Sequence, residues 1–250
     1  MVPTAISCAQ TSCMVIGSPS GADVSPNGRA WAEFSNGTWA ASGTFQDGGP
    51  TVVSCFTASE CVGLASRGET SVFNGTAWSQ VGTPLDIPYG LYLTNLQCSS
   101  GTACEAQYSG DLGNMSATWN GSSWTGIPLE LGSHSIGTGQ AGCSRDLKMC
   151  IAGSDAGFVL KPSGGNWTGV KPAPSLSAYS GVSVAQAGCP ASDVCVILTG
   201  QGVIEAIDAN GRAVGQLAPT SSMGLLSGLT CFPGGCYAVD DERPIGYLIR

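Results

Sequence analysis

Apolar residues in this chain come in short runs, each closed by glycine, proline, asparagine or serine. The stretch from Val53 to Trp78, VSCFTASECVGLASRGETSVFNGTAW, shows the unit most clearly. It holds a cysteine pair, a short apolar run, a glycine turn, a second short run, then Asn-Gly and a tryptophan. The same order recurs six times. Aligned on the cysteines, each copy offers up to four short strands. The first ends at the first cysteine (TAISC, TVVSC, TNLQC, GQAGC, AQAGC, SGLTC), and the second starts at its partner (CMVIG, CVGLA, CEAQY, CIAGS, CVILT, CYAVD). The third covers segments such as Thr70–Phe73, Ser116–Trp119, Phe158–Leu160 and Val203–Ile207. Tight turns lead to the fourth through NGTW at 36–39, NGTAW at 74–78, NGSSW at 120–124, GGNW at 164–167 and NGRAV at 210–214. Asn-Gly is a strong hairpin signal, because a type I′ turn needs positive φ at both central residues.

The twelve cysteines fall as pairs 8/13, 55/61, 98/104, 143/150, 189/195 and 231/236, and the first members are 47, 43, 45, 46 and 42 residues apart. A near-constant period of this size marks a repeat architecture. Four antiparallel strands per repeat of about 45 residues is the pattern of a β-propeller blade. The expectation is therefore an all-β, six-bladed β-propeller in one domain over 1–250, with blades starting near 4, 51, 94, 139, 185 and 227. The last copy has TCFPGGC, CYAVD and IGYLIR and no tryptophan strand, which brings the expected total to twenty-three strands. That blade is either three-stranded with an exposed edge or continued by a tail.

Every cysteine has a close partner and none is left over, so the pairs read as Cys8–Cys13, Cys55–Cys61, Cys98–Cys104, Cys143–Cys150, Cys189–Cys195 and Cys231–Cys236 disulfides. Structural zinc takes four ligands from two adjacent pairs, whereas here one pair recurs per repeat with a single histidine to supplement it. No metal and no cofactor are expected. Disulfides persist in oxidising compartments, which places the chain in a secreted or extracytoplasmic setting. The opening residues MVPTAIS lack a charged region followed by a long apolar one, so Met1 reads as a start placed on a mature sequence.

Repeats of the form S-C-x5-C-x-x-x-G followed by N-G-x-x-W resemble those of secreted β-propeller proteins of the actinobacterial type. The resemblance runs from Ile6 to the C-terminus and implies the fold; that group carries no single activity to transfer. The likeness to sialidase propellers is distant, since Ser25–Trp31 (SPNGRAW) has the wrong spacing for an aspartate-box turn.

Charge narrows the partners. Net charge is −8, with only nine Lys plus Arg and no basic cluster, which argues against nucleic acid and anionic membranes. No apolar run approaches the ~20 residues that span a bilayer. Charged residues make up 10% of the chain and hydrophobic ones 42%, a balance that excludes disorder. A cationic ligand or a neutral sugar remains.

Trp39, Trp78, Trp124 and Trp167 recur once per repeat, as packing between blades would require. The Asn-Gly-Ser/Thr sequons at 36, 74 and 120 coincide with hairpin turns, and turn chemistry accounts for them. No nucleophile–histidine arrangement and no phosphate-binding glycine motif is present.

The sharper signal is departure from the repeat. One and three residues after the second cysteine, the other copies are apolar or small, whereas the third copy has Glu105 and Gln107. Its first strand carries Asn95 and Gln97, and Gln140 and Gln186 repeat the amide at the Asn95 register. A buried carboxylate is costly unless paired, and local rules are broken where function sits. The bland alternative is that these groups satisfy one another. Loops add Tyr108, Asp111, Asp155 and Asp241, and the interblade segments add Tyr89, Tyr92 and His134. The expected function is an exported module binding a polar or carbohydrate ligand at the central channel near blades three to five, as a monomer or edge-mediated homo-oligomer. The alternative is a glycoside hydrolase or lyase with Glu105 as acid/base and Asp111 or another acid as its partner. A structural or assembly role is the third reading.

Overall fold

A computed structural model describes residues 2–18, 28–45, 48–110, 113–129, 141–154, 157–162, 166–168, 184–217, 226–232, 235–240 and 246–249. All regular elements among them are strands, gathered into six sheets with one cysteine pair in each. The first sheet holds β1 (Val2–Ala9), β2 (Ser12–Ser18), β3 (Arg29–Ser35) and β4 (Thr38–Phe45). The second holds β5 (Val52–Cys55), β6 (Cys61–Leu64), β7 (Thr70–Phe73) and β8 (Trp78–Val81). The third holds β9 (Leu91–Ser100), β10 (Ala103–Gly110), β11 (Gly113–Trp119) and β12 (Trp124–Leu129). The fourth has β13 (Ala141–Cys143), β14 (Cys150–Ser154) and β15 (Gly157–Lys161). The fifth has β16 (Val184–Gly188), β17 (Val194–Thr199), β18 (Ile204–Asp208) and β19 (Ala213–Leu217). The sixth has β20 (Leu226–Phe232), β21 (Gly235–Asp240) and β22 (Gly246–Ile249).

Within each sheet, strands that follow one another in sequence are neighbours, and the resolved registers are antiparallel. This is the up-and-down order that the short turns allow. Second strands such as β6, β14 and β17 are buried on both faces, which is why they read as unbroken apolar runs. Fourth strands such as β4 and β12 are mostly exposed. The sheets thus bury their middle and present their outer edge to water. All six cysteine pairs are disulfides within a sheet, with Cα atoms 3.9–4.0 Å apart. Cys8 faces Cys13 and Cys55 faces Cys61 in the ladder, so each bridge staples the first hairpin of its repeat.

The described residues hold twenty-two strands, and the fourth strand expected in the fourth repeat falls largely on residues outside them. Thr168 donates its N–H to the Leu160 carbonyl at 2.7 Å and accepts the Leu160 N–H through its hydroxyl at 3.0 Å. One expectation is corrected: the Asn-Gly turns divide. Asn36 and Gly37 both take positive φ, 50° and 83°, as a type I′ turn requires. NGTAW and NGSSW have one residue more, and there the asparagine side chain makes the turn instead. Asn74 Oδ1 accepts from the Thr76 and Ala77 N–H groups, and Asn120 Oδ1 from those of Ser122 and Ser123.

The backbone divides into two compact units. The first comprises Met1–Tyr89, Leu96–Ala106 and Ala117–Gly126; the second comprises Gly90–Asn95, Gln107–Ser116 and Ile127–Arg250. In the first unit, Met14, Ile16 and Trp31 of one repeat pack with Val53, Cys61 and Phe73 of the next. In the second, Ile151, Phe158 and Leu160 pack with Val184, Cys195 and Ile197, and Val196 and Leu198 with Ala238 and Leu229. Neighbouring repeats therefore share cores.

Small polar groups join the same neighbours. Ser7 Oγ accepts the Cys55 N–H at 2.9 Å, and Ser54 Oγ accepts the Cys98 N–H at 2.8 Å, each serine directly preceding the first cysteine of its repeat. Gly142 and Gly188 hold that position later in the chain. A Cβ on Gly188 would lie 2.9 Å from Cys231 Sγ, and one on Gly142 would lie 2.9 Å from the Gly188 Cα. The tryptophans follow the same rule. Trp78 meets Phe45 of the preceding repeat edge-on at 5.6 Å, and Trp124 Nε1 donates to Thr70 Oγ1 at 2.7 Å.

Candidate functional site

The third repeat is where polar side chains enter the sheet interior. In the second unit, Asn95 is half-buried on β9 and donates its Nδ2 hydrogen to Gln107 Oε1 at 2.9 Å. Gln107 is fully enclosed on β10, and its Nε2 points at Cys143 Sγ of the fourth repeat, 4.0 Å away. Thr94 adds a hydroxyl bond to the Gln107 carbonyl at 3.0 Å. One step further along β10, the Ser109 hydroxyl donates to Asn114 Oδ1 at 2.7 Å, both residues buried. The amides thus form a chain from β9 towards the next repeat.

Glu105 belongs to the first unit, buried on β10, and its Oε2 accepts a hydrogen bond from Thr118 Oγ1 at 3.1 Å. A carboxylate enclosed and bonded in this way is held as an acceptor. Gln97 is half-buried on β9. Gln186, at the Asn95 register of the fifth repeat, accepts the Leu229 N–H of the sixth and so ties two first strands together.

Two aromatic expectations separate. Tyr89 and Tyr92 stand 93% and 72% exposed around the entry to β9. Tyr108 lies inside β10, not in a loop, and is fully buried. Burial pushes its phenol well above the ordinary value, and its hydroxyl has no hydrogen-bond partner among the described residues. β10 runs further than the repeat spacing indicates, which carries Tyr108 into the sheet. Asp111, His134, Gln140, Asp155 and Asp241 lie outside the described residues. No group of three His, Cys, Asp or Glu side chains able to hold a metal occurs among the described residues.

Sequence reasoning missed several polar groups. Glu205 on β18 is buried, at the register where Ala32, Ser71 and Val159 stand in other repeats. An acid between Ile204 and Ile207 was the available signal. Ser109 and Asn114 were not singled out in the sequence, since neither falls at a position that the repeats share.

No family model and no curated protein matches the sequence. Solved structures do. YCF48 bound to a D1 peptide is similar over 94% of this chain and 74% of its own, at TM-score 0.63 and 13% identity. YCF48 from Cyanidioschyzon merolae is similar over 93% of this chain and 78% of its own, at TM-score 0.61 and 15% identity. The computationally designed Ika8 protein is similar over 99% of this chain and 70% of its own, at TM-score 0.57 and 10% identity. YCF48 is a β-propeller, and likeness at this identity shows the fold: the chain is a β-propeller repeat protein with a disulfide in each blade-like sheet.

Proposed function

We propose that this chain is an exported, six-bladed propeller module that binds a neutral carbohydrate at the inner strand of its third blade. The observation that carries the reading is Tyr92. Its ring is 72% exposed at the start of β9, three residues before the half-buried amide Asn95 on the same strand. A tyrosine offers a flat apolar face with a hydroxyl at its rim, which suits the C–H face and hydroxyls of a sugar ring. Asn95, further along the same strand, adds an uncharged amide. Six disulfides fit a rigid scaffold in an oxidising compartment. YCF48, bound to a D1 peptide, is an example of this fold holding a polymeric ligand.

Binding is favoured over hydrolysis because Glu105 is enclosed in the sheet and engaged by Thr118. The test is a titration of neutral oligosaccharides and polysaccharides against the wild type and Tyr92→Ala, with reducing ends assayed in parallel. Saturable binding that weakens at least tenfold in Tyr92→Ala, without release of reducing ends, is the expected result. Unchanged binding in the variant, or turnover by the wild type, overturns the proposal.

A further inference from the structure

Among the described residues, Asn-Gly pairs join neighbouring strands at 36–37, 74–75, 120–121 and 210–211. A further Asn-Gly, at 27–28, begins outside them. Asn-Gly is a chemically reactive dipeptide. The glycine backbone nitrogen, losing its proton, attacks the asparagine Cγ; the bond from Cγ to the side-chain nitrogen breaks and ammonia leaves. Water then opens the resulting succinimide at either carbonyl, giving aspartate or isoaspartate. Glycine has no side chain to block the approach. What the reaction does need is an asparagine amide free to swing onto the backbone and a glycine nitrogen free to meet it.

The turns treat these two groups differently. Asn74 Oδ1 accepts from the Thr76 N–H at 3.1 Å, the Thr76 hydroxyl at 2.9 Å and the Ala77 N–H at 3.0 Å. Asn120 Oδ1 accepts the Ser122 and Ser123 N–H groups at 3.0 and 2.9 Å, and its Nδ2 donates to Ser123 Oγ at 3.3 Å. In both, the group under attack is pinned. At 210–211 the attacking group is pinned instead, because the Gly211 N–H donates to the Asp208 carbonyl at 2.9 Å. Asn36 stands apart. It sits in the β3–β4 turn at φ 50°, and its backbone N–H donates to the Thr11 carbonyl at 3.3 Å. Neither its side-chain amide nor the Gly37 N–H has a hydrogen-bond partner among the described residues. Asn36 and Asn74 both lie in Asn-Gly-Thr, so the difference between them comes from the turn.

We infer that Asn36 is a site of self-modification, converting to isoaspartate and aspartate in the folded chain well ahead of Asn74, Asn120 and Asn210. Every contact that decides this lies within the repeat concerned. The isoaspartate product carries a new carboxylate and routes the backbone through an extra methylene. The type I′ link is defined by its two central residues, so the longer backbone loosens the pairing of Ser35 with Thr38 that closes the hairpin.

The test holds the folded chain at mildly alkaline pH, below its unfolding temperature, and follows each site by peptide mapping and mass spectrometry. Isoaspartate is scored by methyl transfer from S-adenosylmethionine with an isoaspartyl methyltransferase. A parallel sample is reduced, alkylated and kept in urea. In the folded chain Asn36 should react about thirtyfold faster than Asn74 or Asn120, the factor for breaking two hydrogen bonds of about 1 kcal/mol each. In the unfolded sample Asn36 and Asn74 should react at the same rate. Asn36→Gln, which would need a larger ring, should remove the fast methyl-accepting site. Asn74, Asn120 or Asn210 keeping pace with Asn36 in the folded chain overturns the inference. So does a gap between Asn36 and Asn74 that survives unfolding, or fast methyl acceptance that persists in Asn36→Gln.

Discussion

The seams after the first two repeats and those after the fourth and fifth are sealed with different chemistry at one sequence position. In the first and second repeats, the residue before the first cysteine is serine, and its hydroxyl receives the next repeat's cysteine N–H, at Ser7 and again at Ser54. In the fourth and fifth repeats that residue is glycine, and the backbone itself comes close: Gly142 to Gly188, and Gly188 to the Cys231 side chain. The bond the serine supplied is recovered one turn of the pleat earlier, where Gln186 takes the Leu229 N–H. One repeat length and one disulfide pattern therefore accommodate two kinds of contact between first strands. A serine hydroxyl bond makes one, and the absence of a side chain allows the other.

Exchanging the two residues is the strongest way to break this contrast. Gly188→Ser puts a Cβ against a disulfide sulfur and its carbon at 2.9 and 3.0 Å, where backbone on one side and a bridge on the other leave little room to yield. We expect a loss of about 3 kcal/mol, the upper range for overpacking. The reciprocal Ser54→Gly removes a buried hydroxyl and leaves the Cys98 N–H without its acceptor, for a loss of about 2 kcal/mol. Urea unfolding with the disulfides intact measures both. Equal effects within error, or a tolerated Gly188→Ser, would show that the two seams are not built differently.

How much of this could be read from the chain differs by level. The repeat, the strand order within it and the six disulfides are legible because cysteine spacing and strand periodicity are local signals. The seam position was visible as a column of Ser7, Ser54, Gln97, Gly142, Gly188 and Thr230, but its meaning depends on which backbone lies opposite, which no local pattern carries. The polar set of the third repeat was equally visible, as a break in an apolar column. Its partners were only partly so: Gln107 meets Asn95, twelve residues away, but Glu105 meets Thr118, which looked like an ordinary strand residue. Tyr108 was misread because one strand outran its siblings.

The amide pair sharpens the comparison at a smaller scale, since it sits on the second unit's side of the third repeat. Gln107→Leu restores the residue that the second and fifth repeats carry at this register, Leu64 and Leu198, but strands the Asn95 amide. A loss of about 1–2 kcal/mol is expected for the single change, with most of it recovered in Asn95→Val/Gln107→Leu, where both polar partners are gone. A double variant no more stable than the single one would mean that Asn95 is satisfied by something other than Gln107.

The smallest effect tests a strap in the second unit. Asp146 sits in the disulfide loop of the fourth repeat and accepts from Ser144 Oγ at 2.8 Å and from Ser192 Oγ, in the fifth repeat's loop, at 2.6 Å. Lys148 Nζ lies 3.1 Å from Oδ2, the oxygen that also accepts from Ser192. Desolvation pushes the carboxyl up, but the hydrogen bonds from Ser192, Ser144 and Lys148 outweigh it and hold the group well below the usual carboxylate range. A folded-state pKa below the unfolded value of about 3.9 means that the stabilisation is complete above that pH. It is lost as pH falls below it towards the folded value. The group is substantially exposed, so the strap contributes less than about 1 kcal/mol after screening. Asp146→Asn should therefore lower the unfolding midpoint slightly near neutral pH, and the gap to wild type should close as the pH approaches about 2. Ser192→Ala should show the same closing gap, because it removes one of the donors that depress the carboxyl. A gap that stays constant from neutral to acid would mean that the strap works through the shape of the loop, with the charge on Asp146 irrelevant to how the fourth and fifth repeats are held together.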